Sequence, residues 1–499
     1  MTTRVLIVAL VCALAGAVAP AQGQISMDYR DVPEMPAGKE GERIQLLFDA
    51  VNMVDQSLAV RFYNECFSDE LKAEIPLDGF IGFYGGFLRE VGSIDFHSIR
   101  LYDPPRDDAT VVIFRNMNFD SWMAFSLRYA EGEKPDGLLV GFTINRARTP
   151  SDIEPEGPLT ENDAIEMIWP YLDRLCEKEL FAGTVMVAKG DEVLLAASCG
   201  EASKRFHVPI DLDTKFNIGS MNKMFTSTAI MQLVEKGLVS VDDPISKYVD
   251  ESWYPAEITD VVTVKHLLTH TSGLGSYFTD EWDAQSRKLY RKVEDYRPLF
   301  AADTLAFEPG TDWSYSNTGM FLLGVVIESV TGEDYFDYIR DNIYAPAGME
   351  NTDCYDMDCP VENLAIGYWP SDDCAEGWKN NYYEHVIRGG PAGGGFSTAP
   401  DLIAFARALE KSTLISRESR ELMWTDHFDP ERPFGYGYGF SLREGPAGKI
   451  VGHGGGFTGI NANLDMFIDR GYIVAVMTNL DGAGAPVDAK IAELLERVE

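Results

Sequence analysis

Ser220, Met221, Asn222 and Lys223 place a lysine three residues after a serine, and no other serine of this chain has one at that offset. Positions i and i+3 share one face of a helix, so the amine can come within hydrogen-bond reach of the hydroxyl. A serine alcohol is a poor nucleophile at neutral pH. It needs a neighbouring base, and a lysine desolvated enough to lose its proton can be one. The chemistry this spacing offers is attack of an activated alkoxide on a carbonyl carbon.

The surroundings favour that use over an exposed polar face. Met221, Met224, Phe225, Ile230, Met231, Leu233 and Val234 follow before a stop at Gly237. Apolar residues at that density predict a helix buried on most of its circumference and ended by a glycine. Lys223 would then be desolvated. Gly219 permits close approach of other groups, and the helix N-terminus offers backbone N–H groups to a developing anion.

Two further segments complete the pattern. Tyr315-Ser316-Asn317 comes 95 residues after the serine, and His453-Gly454-Gly455-Gly456 lies between two strand-like runs near the C-terminal end. Ser-x-x-Lys, Tyr-x-Asn and a basic residue followed by glycine, in that order, resemble the serine β-lactamase and penicillin-binding-protein superfamily. The similarity is greatest to its branch of class C β-lactamases, D-alanyl-D-alanine carboxypeptidases, D-aminopeptidases and β-lactamase-like esterases. Leu267 to Leu274 and Gly393 to Thr398 also resemble recurring family segments, and the resemblance covers about residues 163 to 499.

The resemblance implies that Ser220 forms an acyl-enzyme, that Lys223 and Tyr315 handle its proton, and that the N–H groups of Ser220 and Gly456 form the oxyanion hole. Either Lys223 or Tyr315 could be the base. Asn317 would orient Lys223 and bind the substrate amide, while Gly454 and Gly455 let substrate lie along a strand edge. His453 departs from the lysine of the Lys-Thr-Gly form, and a histidine loses its charge above about pH 6.5. It is therefore a poorer anchor for a substrate carboxylate, which favours esters or D-amino-acid peptides over β-lactams. A catalytically silent peptide-binding protein and a true β-lactamase are the alternatives. A Ser-His-Asp hydrolase is excluded for want of a Gly-x-Ser-x-Gly elbow.

The implied fold is α+β: a β-lactamase/transpeptidase-like antiparallel sheet sandwiched by helices, with a helical lobe. Strand-like runs at 183 to 197 and 449 to 477 bracket a helical middle, which agrees with a sheet built from both ends of residues 161–499. Ahead of it, residues 24–149 read as a small α+β domain, with helical stretches at 42–67 and 77–91 and then four strands. That order is similar to the cone-shaped nuclear-transport-factor-2-like fold. Residues 150–160, rich in Pro and Glu, form the expected linker.

Residues 1–21 have the pattern of a secretory signal: Arg4, an apolar run from Val5 to Val18, then Ala19-Pro20-Ala21. The expected product is an exported, periplasmic or secreted protein with no membrane-spanning segment after signal removal. Six cysteines remain after Cys12 leaves with the signal, and the proximity of Cys354, Cys359 and Cys374 predicts a local disulfide there. Neither a Cys-x-x-Cys pair nor a His-Glu-x-x-His occurs, so no metal or other cofactor is expected. With 79 acidic against 42 basic residues the formal charge is −37, which argues against nucleic acid as partner. A small-molecule or peptide substrate is the expected ligand.

Overall fold

The computed structural model describes residues 28–154, 156–300, 304–371, 373–428 and 435–499. The signal stretch 1–21, with Cys12, lies outside the described residues. The chain divides into two compact units: one holds the residues up to Leu159 together with Asp173–Leu180 and Glu499, the other Thr160–Leu172 and Phe181–Val498.

In the first unit, β1 (Asp28–Val32) is followed by helices α1 (Lys39–Asn52), α2 (Gln56–Cys66), α3 (Asp69–Glu74) and α4 (Leu77–Val91). Strands β2 (Ile94–Asp103), β3 (Ala109–Asn116), β4 (Ser121–Tyr129) and β5 (Leu139–Arg146) then form an antiparallel meander with β1 on its edge. Phe48, Phe62, Phe80 and Phe87 from the helices pack on Phe114, Phe125 and Phe142 of the sheet. The helical stretch expected over 42–67 is two helices. Val54 takes φ +53°, and the Asp55 carboxylate accepts the Ser57 N–H at 2.8 Å, capping a new helix where one would have run on.

The sequence reading starts the second domain at residue 161, yet the last turns of α5 (Glu161–Glu177) group with the first unit. Arg174 supplies one reason, donating to Asn118 O at 2.6 Å.

The second unit is built on a seven-stranded antiparallel sheet. Its strands are β6 (Gly183–Lys189) and β7 (Glu192–Cys199) from the start of the unit. From its end come β8 (Gly435–Tyr436), β9 (Ser441–Gly445), β10 (Gly448–Phe457), β11 (Ile460–Phe467) and β12 (Tyr472–Thr478). The order is β8-β9-β10-β11-β12-β6-β7, so the two ends of the unit meet where Tyr472 pairs with Lys189. Every residue of β11 and β12 is buried, as expected for central strands covered on both faces. Between β7 and β8 run α6 (Asn222–Glu235), α7 (Asn317–Thr331) and α8 (Ala399–Glu410). The closing helix α9 (Gly484–Glu496) packs, like α8, on β12.

Cys354, Cys359 and Cys374 are free thiols, which corrects the expected local disulfide. Closeness in sequence does not bring sulfurs to bonding distance, and burial raises the Cys354 thiol to about 12. Among the described residues the disulfide-bonded cysteines are Cys176 and Cys199. Among the described residues no helix is long and apolar enough to cross a membrane.

Candidate active site

Ser220 lies in a single 3₁₀ turn, Gly219–Met221, that runs directly into α6. As the apolar density predicts, α6 is buried nearly all round, and Gly237 beyond its end takes φ +68°. Lys223 is fully buried. Its Nζ donates to Asn317 Oδ1 at 2.8 Å and to Ala392 O at 2.5 Å, and lies 4.8 Å from the centre of the Tyr315 ring. Burial holds the amine well below its usual range, because a charged ammonium is costly out of water. A neutral amine has two hydrogens. Both are engaged here, so its lone pair is left in the remaining direction.

Tyr315 and Asn317 are delivered by the N-terminus of α7. Ser316 is its N-cap: the hydroxyl accepts the Gly319 N–H at 2.8 Å and donates to Gly275 O at 2.9 Å. The Ser316 N–H donates to His270 Nδ1 at 3.1 Å. His270, fully buried with φ +60°, stacks its ring 4.3 Å from that of Tyr315. Desolvation keeps it neutral, the nearby Lys223 acting in the same direction. His270 thus supports the turn that carries Tyr315 and Ser316. Asn317 Nδ2 also donates to Ser276 Oγ at 3.4 Å.

The third motif does not lie between strands. It is the last part of β10, which runs unbroken to Phe457. β9 pairs with β10 only as far as Gly452, whereas β11 pairs with it through Phe457. One edge of His453–Phe457 is therefore left without a strand partner among the described residues. The glycines are needed for contact. A Cβ on Gly455 would fall 1.9 Å from Ile218 O and 3.0 Å from Ser220 N, and a Cβ on Gly219, at φ +48°, would fall 2.9 Å from Gly456 N. Backbone against backbone, this brings the amides of Ser220 and Gly456 into one small region. Gly454 and Gly456 are partly exposed, Gly455 is buried.

His453 is buried, with Nε2 3.0 Å from the Tyr436 hydroxyl and Nδ1 2.5 Å from Gly454 O. Burial, helped by Lys223, lowers it to about 3, so it carries no charge at neutral pH.

A glycine-rich loop completes the site, and sequence reasoning assigned it no chemistry. Gly394 N donates to Gly219 O at 3.1 Å and Ile218 N to Gly395 O at 2.8 Å. Asn222 donates to Gly390 O at 3.0 Å and accepts from Gly395 N at 3.2 Å. A polar Asn222 at the start of a helix predicted to be buried is the signal that could have revealed it, since a buried amide must find partners. Ser276 and Tyr436 were likewise missed.

The structure thus brings Ser220, Lys223, Tyr315, Asn317, His453 and Gly454–Gly456 into one place. The family model described as Beta-lactamase matches residues 172–498. The chain belongs to the beta-lactamase family. It is 33% identical over 331 residues to Penicillin-binding protein 4* of Bacillus subtilis (strain 168), which spans 62% of this chain and 70% of that protein. Among solved structures it is similar to a penicillin-binding protein from Bacillus halodurans, 31% identical with TM-score 0.59, covering 67% of this chain and 99% of that one. It is also similar to a D-stereospecific amidohydrolase from Streptomyces sp., 25% identical with TM-score 0.55, covering 67% of this chain and 98% of that one. This beta-lactamase-family chain therefore has the α+β fold and coarse serine-hydrolase class that its motifs imply. Among its described residues no group of three or more His, Cys, Asp and Glu side chains could hold a metal ion.

Proposed function

We propose that the chain is an exported serine hydrolase that cleaves an ester or an amide, a D-amino-acid peptide or a small acyl ester, through an acyl-enzyme on Ser220. The carrying observation is Lys223: buried, held short of its ordinary charge, and oriented by two acceptors beside the turn that bears Ser220. A binding-only site has no need of such a base.

In this reading Ser220 Oγ attacks the substrate carbonyl carbon while its proton passes to the lone pair of Lys223, directly or through the Tyr315 phenol. The backbone N–H groups of Ser220 and Gly456 take the negative charge that develops on the carbonyl oxygen. Collapse of the tetrahedral intermediate breaks the bond to the leaving group, which receives the proton. Water then repeats the sequence and releases the acid. Asn317 holds Lys223 and presents its amide to the substrate, which lies along the open edge of His453–Phe457.

The name of the Streptomyces relative, a D-stereospecific amidohydrolase, supports the D-amino-acid branch of the proposal, and the absence of a cation at His453 supports the preference over β-lactams. Export rests on the pattern of residues 1–21 alone. The first unit contributes none of the site residues and is assigned binding or positioning of a large substrate.

The test is an intact-mass screen of the mature protein against a fluorophosphonate, a penicillin and short acyl esters, with the adduct located by peptide mapping. An adduct on Ser220 is expected. Labelling elsewhere, or none with any of the three, would overturn the proposal.

A further inference from the structure

Tyr436 belongs to none of the motifs, yet it is buried at the core of the aromatic cluster behind the site. Its ring lies 4.5 Å from that of His270 and 5.8 Å from that of His453. Its hydroxyl meets His453 Nε2 at 3.0 Å. The other imidazole nitrogen, Nδ1, faces Gly454 O at 2.5 Å. A carbonyl oxygen can only accept, so Nδ1 carries the hydrogen, Nε2 is the acceptor, and the Tyr436 hydroxyl donates.

The groups that face the imidazole are Lys223 from α6, Tyr315 from the start of α7 and Tyr436 from β8, with His270 behind the two tyrosines. Asp426 accepts the backbone N–H of Tyr436 at 3.3 Å. Lys223 opposes any charge on His453, and burial keeps the Tyr436 phenol protonated.

We propose that Tyr436 is a positioning residue that sets specificity: its hydrogen bond to Nε2 fixes His453 with both nitrogens occupied, so the position offers a substrate neither a cation nor a free N–H. The site then selects substrates that are uncharged at this end, esters and amides, against those that carry a free carboxylate there. The inference rests on the hydrolase reading given above.

The experiment compares the full mature protein with Tyr436→Phe on two esters of one acyl group, one with a neutral leaving group and one whose leaving group carries a carboxylate. Without the hydroxyl nothing holds Nε2 as an acceptor, and the imidazole, still kept neutral by burial and Lys223, is free to turn an N–H toward a carboxylate. We expect KM for the carboxylate ester to fall at least tenfold relative to KM for the neutral ester, at pH 5.5 and at pH 8 alike. Unchanged discrimination between the two esters at both pH values would overturn the proposal.

A second readout covers the case in which the variant does not fold. Nitrogen NMR of the imidazole in the unaltered protein, assigned with His453→Gln, should show a neutral Nδ1–H tautomer that does not titrate between pH 5 and 8. An Nε2–H tautomer, or titration near pH 6.5, would overturn it as well. Failure of the hydrolase reading is seen separately, as absence of a Ser220 adduct with the fluorophosphonate, the penicillin and the acyl esters alike, and leaves the tautomer measurement intact.

Discussion

Lys223 Nζ donates to Asn317 Oδ1 at 2.8 Å, joining two helices that start 95 residues apart, α6 at Asn222 and α7 at Asn317. The pair fixes the amine's direction as well as its surroundings. With Ala392 O taking the second hydrogen, the lysine is held as an acceptor of protons inside a buried site.

Removing Ser220, the proposed nucleophile, should therefore leave a folded but inactive protein. Ser220→Ala is expected to lower kcat by at least about a thousandfold on the best ester found, as in other sites whose members act together. Retention of more than a few per cent of activity, with an unchanged thermal melt, would remove Ser220 from the mechanism.

The lysine should show itself in the pH dependence of stability. Its folded-state pKa is depressed from 10.5 by burial, so the unfolded chain binds the extra proton across the window between the folded value and 10.5. Stability contributed at this position is lost as pH falls through that window and returns as pH rises, at about 1.4 kcal/mol per pH unit for one proton. The unfolding free energy of the unaltered protein minus that of Lys223→Met should accordingly rise with pH. Turnover by Lys223→Met should be nearly absent throughout. A flat stability difference from denaturant titrations at pH 6, 7.5 and 9 would show that the amine is charged in the folded state.

The difference between what the sequence disclosed and what it concealed follows the range of the interactions. Ser220 and Lys223 are legible because one helical turn relates them, and the buried helix is legible from its apolar run. Ala392 is not, because what it contributes is a backbone carbonyl 169 residues from Lys223, and any residue type could supply that. The strand through Gly454–Gly456 was hidden for a related reason: glycine has low strand propensity, and only close contact with Ile218–Ser220 makes it the residue of choice. Likewise β1, a polar edge strand, has too little apolar alternation to stand out until it pairs with β2. The centre of the sheet formed from both ends of the second unit is readable because β6, β11 and β12 are long and apolar, whereas the two-residue β8 and the polar β9 are not.

Contact at the third motif can be tested with one methyl group. In Gly455→Ala the new Cβ would fall 1.9 Å from Ile218 O, which forces β10 away from the nucleophile turn. A shift of about 1 Å in a positioned site costs on the order of a hundredfold in rate. We expect that loss to appear in kcat, with the protein still folded by circular dichroism. An active Gly455→Ala enzyme would place the oxyanion-binding amides elsewhere.

The first unit should matter to size of substrate and not to bond cleavage. It has its own aromatic core and holds none of the site residues. A chain starting at Pro158 also loses the Asn118 carbonyl that Arg174 uses, so its melting temperature should drop by several degrees while kcat on a small chromogenic ester is kept. If the shortened protein is folded but has lost that turnover, the first unit is required for catalysis.

His453 offers the most direct control over substrate choice. It is buried and neutral, lowered to about 3 by desolvation and Lys223, so it supplies no charge anywhere in the neutral range. His453→Lys would replace the imidazole by an amine whose unperturbed pKa, about 10.4, lies far above that of histidine, so that even lowered by burial it holds its charge to higher pH, and a charge-assisted hydrogen bond to a carboxylate is worth about 1.5–3 kcal/mol, or roughly ten- to a hundredfold. The neighbouring Lys223 will oppose the new charge, and the new charge will in turn hold Lys223 neutral, which preserves the base. We therefore expect kcat/KM for a carboxylate-bearing ester or for nitrocefin to rise at least about tenfold relative to a neutral ester. The gain should persist at pH 8, where a histidine could not provide it. Steady-state kinetics on the matched pair at pH 6 and pH 8 decide the matter, and a ratio that does not move would mean that substrate carboxylates do not approach position 453 at all.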